Sequence, residues 1–356
     1  VPDKPIRLLI AASGTGGHLF PALAVAERLP DYEIEWLGVP NRLETSLVPR
    51  EYRLHTLPVE GFQNGFGLQT IKVAIGLIKA IFQVKKLLKE KQFDGVFTTG
   101  GYIASPAIIA ARWQGIPAIL HESNFIPGKV TRWFASWCNV VALGFAGTAD
   151  YLKKARTVHV NTPVRGQFLH PQPLDLPLPP NAPVIVVVGG SQGAVAMNQL
   201  VRQVAPAWFD LGAFVVHLTG DKDPDALSLQ HPQYISLPFY DNMAGLFQRA
   251  DLAISRSGAG SLTELSVTTT PAILIPYPFA AEDHQTYNAR VFGDAGAAIV
   301  ERQSELTASL LESQVSDLLR SPEKLAAMKQ KMAELATINS ADLMADILRQ
   351  EIGRYS

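Results

Sequence analysis

Cysteine is almost missing from this sequence: Cys138 is the only one in 356 residues. A disulfide framework and a multi-cysteine zinc site are thereby excluded. Charge is sparse too, 18% of residues against about 25% in an ordinary soluble chain, which suggests a surface that meets something apolar. No run of about 18 uncharged apolar residues occurs, so no transmembrane helix is expected. The Ile6–Ala12 stretch is too short for a signal core and is followed at once by glycines, so a soluble, reducing compartment is expected. Low-complexity tracts are also lacking. The 47% apolar content is ample for sizeable cores and excludes general disorder.

The net charge of −1 conceals an asymmetry. Residues 1–165 carry 19 basic and 12 acidic side chains, and residues 166–356 carry 12 and 20. The first half suits an anionic partner or surface, and the second does not. A chain of this length suggests two domains at roughly 100–200 residues each.

Ile6–Ala12 is a short branched apolar run, the pattern of a buried parallel strand. Helical spacing from Ala22 to Leu29 and further strands at Glu33–Gly38, Gly95–Thr99 and Ala118–His121 follow. The scheme restarts at Val184–Val188 and continues with strands at Phe214–Leu218, Leu252–Ser255, Ala272–Ile275 and Ala297–Val300. From Ser304 the pattern is helical, with a break at Ser321-Pro322. Alternating strands and helices predict an α/β protein with parallel sheets. Seven prolines between 163 and 183 predict an extended linker, because proline fixes φ and removes donors. Two Rossmann-like domains are therefore expected at 1–165 and 184–340, joined by 166–183, with the strand ends facing a shared cleft where ligands of such sheets bind.

Three glycine-rich junctions lie between a strand and a helix. Gly14-Thr15-Gly16-Gly17-His18 and Gly189-Gly190-Ser191-Gln192-Gly193 let backbone approach a ligand and offer N–H groups to negative charge. Arg256-Ser257-Gly258-Ala259-Gly260-Ser261-Leu262-Thr263-Glu264 is the third. None matches G-x-G-x-x-G, although Glu33 and Glu35 stand near the distance at which a dinucleotide site needs an acid. His18 is positioned either to cap its loop or to accept a proton near neutral pH. Glu264, expected in the first helical turn, is either a helix-start acid or a ribose acceptor. His284 and Gln285 follow a polar cluster that suits a phosphate or sugar as well as local capping. Asp221-x-Asp223 has the spacing of a divalent-ion motif but reads more simply as a solvated loop. No metal or other cofactor is expected, and no basic patch interleaved with aromatics points to nucleic acid.

In Thr70–Lys91 the apolar positions, Ile75, Ile78 and Phe82 among them, cover more than one stripe, and Lys79, Lys85 and Lys86 accompany them. Lysines beside excess apolar surface suit an anionic bilayer, with Trp113 a candidate neighbour. A sheet-covering helix with a solvated lysine face gives the same pattern.

Gly14–His18 with Phe20-Pro21, Gly100-Gly101-Tyr102, His121-Glu122-Ser123-Asn124, Pro163-Val164-Arg165, Gly189–Gly193, Arg256-Ser257-Gly258 and Asp283-His284-Gln285 occur in this order. Together, over residues 6 to about 300, they resemble the MurG family of glycosyltransferases. The resemblance implies a GT-B fold whose last helix, 341–356 here, packs back on the first domain. It also implies an inverting transfer of N-acetylglucosamine from UDP-N-acetylglucosamine to undecaprenyl-diphospho-N-acetylmuramoyl-pentapeptide, in peptidoglycan synthesis, at the cytoplasmic face of the plasma membrane. By the same resemblance His18 is the catalytic base. Thr15, Gly16, Gly17, Asn124, Arg165, Ser191, Tyr240, Ala259, Gly260, Ser261, Leu262, Thr263, Glu264 and Gln285 would hold the donor, with Tyr240 at the uracil. The chain departs from the family at Asn161-Thr162, where Gly-Asn is common, and at His284, where some members have Gln. Alternatives are a UDP-sugar transferase acting on diacylglycerol, a sugar-nucleotide epimerase of the same architecture, a nicotinamide-dependent dehydrogenase, and a non-catalytic membrane-binding module.

Overall fold

A computed structural model describes residues 4–59, 68–190 and 194–354, with backbone alone for 68–72. The chain divides into two compact units, one of Val1–Arg165 with Asn339–Ser356 and one of Gly166–Ile338.

The first unit contains β1 (Ile6–Ala11), α1 (Gly16–Ala26), β2 (Tyr32–Gly38), α2 (Glu44–Leu47), β3 (Arg53–Thr56) and α3 (Leu68–Lys91). It continues with β4 (Gly95–Thr98), α4 (Ala104–Gln114), β5 (Ala118–Glu122), α5 (Lys129–Phe134), β6 (Val140–Leu143) and β7 (Thr157–His159). All seven strands are parallel in the order β3-β2-β1-β4-β5-β6-β7. Side chains alternate across a strand, so β1 feeds two cores. Leu9 and Ala11 pack with Val84 and Leu88 of α3 and with Ile108 and Ala111 of α4. Leu8 and Ile10 pack with Leu19 and Leu23 of α1. A sheet covered on both faces needs apolar residues at successive positions, which is why β1 reads as a continuous run.

The second unit contains β8 (Val184–Val188), α6 (Val195–Phe209), β9 (Phe214–Leu218), β10 (Tyr234–Leu237), α7 (Met243–Arg249), β11 (Leu252–Ser255) and α8 (Ala259–Val267). It is completed by β12 (Ala272–Leu274), α9 (His284–Asp294), β13 (Ala298–Val300), α10 (Ala308–Leu319) and α11 (Pro322–Leu335). Its six strands are parallel in the order β10-β9-β8-β11-β12-β13. Ile185 and Val187 pack with Met197, Val201 and Trp208 of α6 and with Leu311 and Val315 of α10.

The final helix, α12 (Ser340–Gly353), returns to the first unit, where Met344, Ala345, Leu348 and Ile352 join the core beneath α1. Buried Glu351 accepts hydrogen bonds from Arg156 (2.7 Å) and Arg354 (2.8 Å). The proline-rich segment 166–183 lies along the second unit. Proline lacks an N–H, so carbonyls supply many of the segment's bonds, beside the Gln172 amide, which donates to Gln248 Oε1 at 2.9 Å. Gln248 donates to His170 O at 2.9 Å, Asn242 to Pro173 O at 2.6 Å, and Arg249 to Ala182 O at 2.7 Å.

Candidate active site

In the first sheet the strand order reverses between β1 and β4, the position where open α/β sheets take ligands. The loops after both strands meet at His18. Its Nδ1 lies 2.6 Å from the carbonyl of Thr99, and the Thr99 hydroxyl donates back to the His18 carbonyl at 2.9 Å. A carbonyl only accepts, so Nδ1 carries the proton and Nε2 keeps the lone pair. Gly100 and Gly101 sit at φ +94° and +75°, and a Cβ at Gly101 would stand 3.6 Å from that Nε2. Glycine there gives both the left-handed backbone and open access to the ring.

The helix begins at Gly16 rather than near Ala22, with Pro21 inside it. The elbow glycines are therefore its first turn, where helix geometry leaves the amides of Gly16 and Gly17 without intrahelical acceptors. Thr15 is the N-cap in an extended conformation and makes no side-chain cap. Arg165 lays its guanidinium over the Phe20 ring at 3.9 Å from the centroid, close to the same elbow.

The loop after β5 is organised by Glu122. One carboxylate oxygen accepts from the Asn124 amide (3.0 Å) and side chain (3.3 Å), the other from Gly128 N (3.0 Å) and the Thr131 hydroxyl (2.6 Å). His121 is buried and donates from Nε2 to Asn161 O at 3.0 Å. Burial pushes its pKa down to about 4, so the ring is neutral.

In the second sheet the reversal falls between β8 and β11. Gly190 follows β8 at φ +85°. Ser191, expected to hold the donor, lies outside the described residues. Helix α8 starts with Gly258 as an extended N-cap and no side-chain cap, so the amides of Ala259, Gly260 and Ser261 head its first turn. Leu262 is buried in the core, and the Thr263 hydroxyl donates back to Ala259 O at 3.0 Å. Glu264, expected in the first helical turn, stands in the second, because α8 already begins at Ala259, directly after its N-cap Gly258. Arg256, before that cap, is buried and donates to Ile275 O (3.0 Å) and Gln303 (2.6 Å). Burial lowers the Arg256 pKa below its ordinary value.

Gln285 ties two loops together. Its Oε1 accepts from Ser257 N (3.3 Å) and Tyr277 N (2.9 Å), which leaves its Nε2 as the donor end. Left-handed Asp283 (φ +55°) accepts the Thr286 hydroxyl at 2.6 Å and starts α9. His284 Nδ1 donates to Ala281 O at 2.8 Å, a bond local to the turn before α9. The Tyr240 hydroxyl donates to Asp175 of the proline-rich segment, and burial, then that bond, raises its pKa to about 12.

Two motifs take structural roles instead of ligands. Glu35 pairs with Arg7 at 2.7 Å and with His55 on neighbouring β3. Burial would raise its pKa, but the His55 hydrogen bond and nearby cations hold it below the usual range. Asp223 is bound by Arg202 (2.7 and 3.2 Å), by Asn198 (2.7 Å) and by Asp225 N (3.0 Å). Asn198 in turn accepts from His217 Nε2 at 3.0 Å, and the Tyr234 hydroxyl donates to His217 Nδ1 at 2.7 Å. Among the described residues no group of three or more His, Cys, Asp or Glu has a metal-holding arrangement.

On α3, Ile75, Ile78 and Phe82 are about half exposed (49%, 53% and 58%), as is Trp113 of α4 at 49%. Phe82 and Trp113 rings lie 6.1 Å apart, and Lys85 sits 5.7 Å over Trp113. Lys86 pairs with Glu90 at 3.7 Å, while Lys79 lies between Ile78 and Phe82 in sequence. Sequence reading missed Trp137 and Arg112, which with Trp113 and Ser136 line a 320 Å³ hollow beside this face. Among the described residues no helix is long and apolar enough to cross a membrane.

Residues 8–143 match the glycosyltransferase family 28 N-terminal domain, and residues 184–345 match the C-terminal domain of the same family. The chain is 67% identical over 347 residues, 98% of its length and 96% of the relative's, to the UDP-N-acetylglucosamine--N-acetylmuramyl-(pentapeptide) pyrophosphoryl-undecaprenol N-acetylglucosamine transferase of Gloeothece citriformis (strain PCC 7424). An identically named protein from Microcystis aeruginosa (strain NIES-843 / IAM M-2473) is 66% identical, covering 98% of this chain and 97% of that one. The solved structure of Acinetobacter baumannii MurG superposes with a TM-score of 0.79 at 30% identity, covering 97% of this chain and all of that one. With both halves matched and near-complete relatives at this identity, the chain belongs to glycosyltransferase family 28.

Proposed function

We propose that this protein transfers N-acetylglucosamine from UDP-N-acetylglucosamine to the 4-hydroxyl of undecaprenyl-diphospho-N-acetylmuramoyl-pentapeptide, inverting the anomeric carbon. The reaction builds the lipid-linked disaccharide of peptidoglycan. The reading is supported by the names of relatives at 66–67% identity. The observation that carries the chemistry is His18, whose Nδ1 is committed to Thr99 O so that Nε2 is free to take a proton.

The acceptor oxygen attacks the donor's anomeric carbon while its proton passes to His18 Nε2, a contribution of about 10²–10⁴-fold. The bond to the UDP oxygen breaks with its electron pair, and charge gathers on the diphosphate. The groups assigned to that charge are the amides at the start of α8, Ser191 and Gln285 Nε2. Donors fixed before the reaction stabilise such charge without reorganising. Thr15, Gly16, Gly17, Asn124 and Arg165 supply polar contacts to the sugar-diphosphate, Glu264 accepts from the ribose diol, and Tyr240 serves the uracil.

The exposed α3 face with Trp113 and its lysines attaches the enzyme peripherally to the anionic cytoplasmic face of the plasma membrane, where the lipid acceptor resides. Roles in cell shape and division follow from that product. Incubating the enzyme with labelled UDP-N-acetylglucosamine and either the muramoyl lipid or diacylglycerol tests the assignment. Label should pass to the muramoyl lipid only. Transfer to diacylglycerol, or epimerised sugar nucleotide without any lipid, would replace it with one of the rival activities.

A further inference from the structure

Glu44 is fully buried and has no part in the chemistry above. Its Oε1 accepts the Ser13 hydroxyl and, at 2.6 Å, the amide of Val39, while Oε2 accepts the amide of Gly14 at 3.2 Å. Among the described residues no cationic side chain forms a salt bridge with it. A buried carboxylate held only by neutral donors is costly to keep, and an apolar side chain would fill the same space without that cost. What the carboxylate gains is a fixed relation between the loops after β1 and β2. Gly14, at φ +102°, opens the elbow that runs into Gly16, Gly17 and His18. From behind, Gly38 presses close: a Cβ there would stand 2.6 Å from Glu44 Cγ and 2.8 Å from Oε1.

We infer that Glu44 is a positioning residue for the transfer reaction, latching the first glycine elbow so that its free amides and the His18 ring hold their working geometry. This rests on the transferase reading of that elbow. The two backbone amides, one on each oxygen, require a side chain with two accepting oxygens. In Glu44→Gln, an amide oxygen in the Oε1 position puts NH₂ against Gly14 N–H. The opposite orientation puts NH₂ against Val39 N–H. Either way one backbone amide loses its acceptor and the latch opens on one side.

The test uses the full chain with UDP-N-acetylglucosamine and the muramoyl lipid. Glu44→Gln should lower kcat on the order of ten- to a hundredfold, the scale of an ångström-sized misplacement. KM for UDP-N-acetylglucosamine should change no more than roughly threefold, since most donor contacts lie elsewhere. Gly38→Ala leaves the charge intact but displaces the carboxylate, and should reproduce the same split. It decides alone if Glu44→Gln does not fold. Wild-type kcat in a folded variant, or a lower melting temperature with kcat per folded enzyme unchanged, overturns the inference. His18→Ala run alongside separates the two levels. Loss there with full turnover in the other variants removes only the role of Glu44, whereas full turnover in His18→Ala removes the transferase reading of the elbow.

Discussion

The ion pair between the middle of α6 and the loop after β9 gives a prediction whose size follows from its geometry. Arg202 and Asp223 are 7% and 0% exposed at the side chain, and Arg202 bonds both carboxylate oxygens. Arg202→Met leaves a buried carboxylate with only Asn198 and Asp225 N as donors. Stripping one partner from a buried pair costs about 3–5 kcal/mol. Asp223→Asn strands the guanidinium at a comparable cost. The double variant removes both charges and should recover at least about 2 kcal/mol of the summed losses, because contacting residues couple. Urea unfolding followed by ¹⁹F signals of fluorinated tryptophan isolates the effect, since Trp208 is the one tryptophan of the second unit. The pH arm has a definite sign. Burial raises the Asp223 pKa, but Arg202 and Asn198 more than offset it, so the folded value is lowered. Stability from the pair is therefore present above the ordinary carboxylate range and lost as pH falls through the folded value. Singles within about 1 kcal/mol of wild type, or a strictly additive double variant, would refute the reasoning.

His121 and His217 are held neutral by burial, with pKa values lowered to about 4 and about 3. Their unfolded forms bind protons near the ordinary histidine value, so the stability they lend is complete above about pH 6.5 and drains away as pH falls toward the folded values. At pH 5 the loss should be on the order of 2 kcal/mol for each ring, and neither ring's NMR signals should move between pH 7 and 5. A ring titrating near 6.5 would contradict its burial. On α3, replacing Lys79, Lys85 and Lys86 by alanine should weaken binding to phosphatidylserine vesicles by about 3 kcal/mol, at about 1 kcal/mol per lysine near the surface. Phe82→Ser should weaken it even at high salt, where lysine contributions fade. Sedimentation with vesicles that shows no change would assign the face to another role.

Much of the fold is legible because its strands are buried on both faces. β1 and β8 read as branched apolar runs for that reason, and the glycines after them mark the elbows. Helix starts are less legible. The apolar spacing suggests a beginning near Ala22 for α1, yet the helix opens at Gly16, and Glu264 lands one turn further into α8 than expected. Long-range polar pairing is not legible at all. Glu35 stands at the spacing of a ribose acceptor, but Arg7 and His55 on adjoining strands take it. Asp223 has an ion-motif spacing but faces Arg202 from another element. The Ser13–Glu44 contact spans 31 positions and leaves no local signature. The tautomer of His18 likewise depends on Thr99, 81 residues away, which only the meeting of two loops supplies.

The most direct measurement is the single-turnover rate of sugar transfer in His18→Ala, with UDP-N-acetylglucosamine binding measured on the same protein. If Nε2 of His18 takes the acceptor's proton, the chemical step should slow by about 10²–10⁴-fold while the donor still binds. An unchanged rate would mean that the proton leaves by another route and that His18 only shapes its loop.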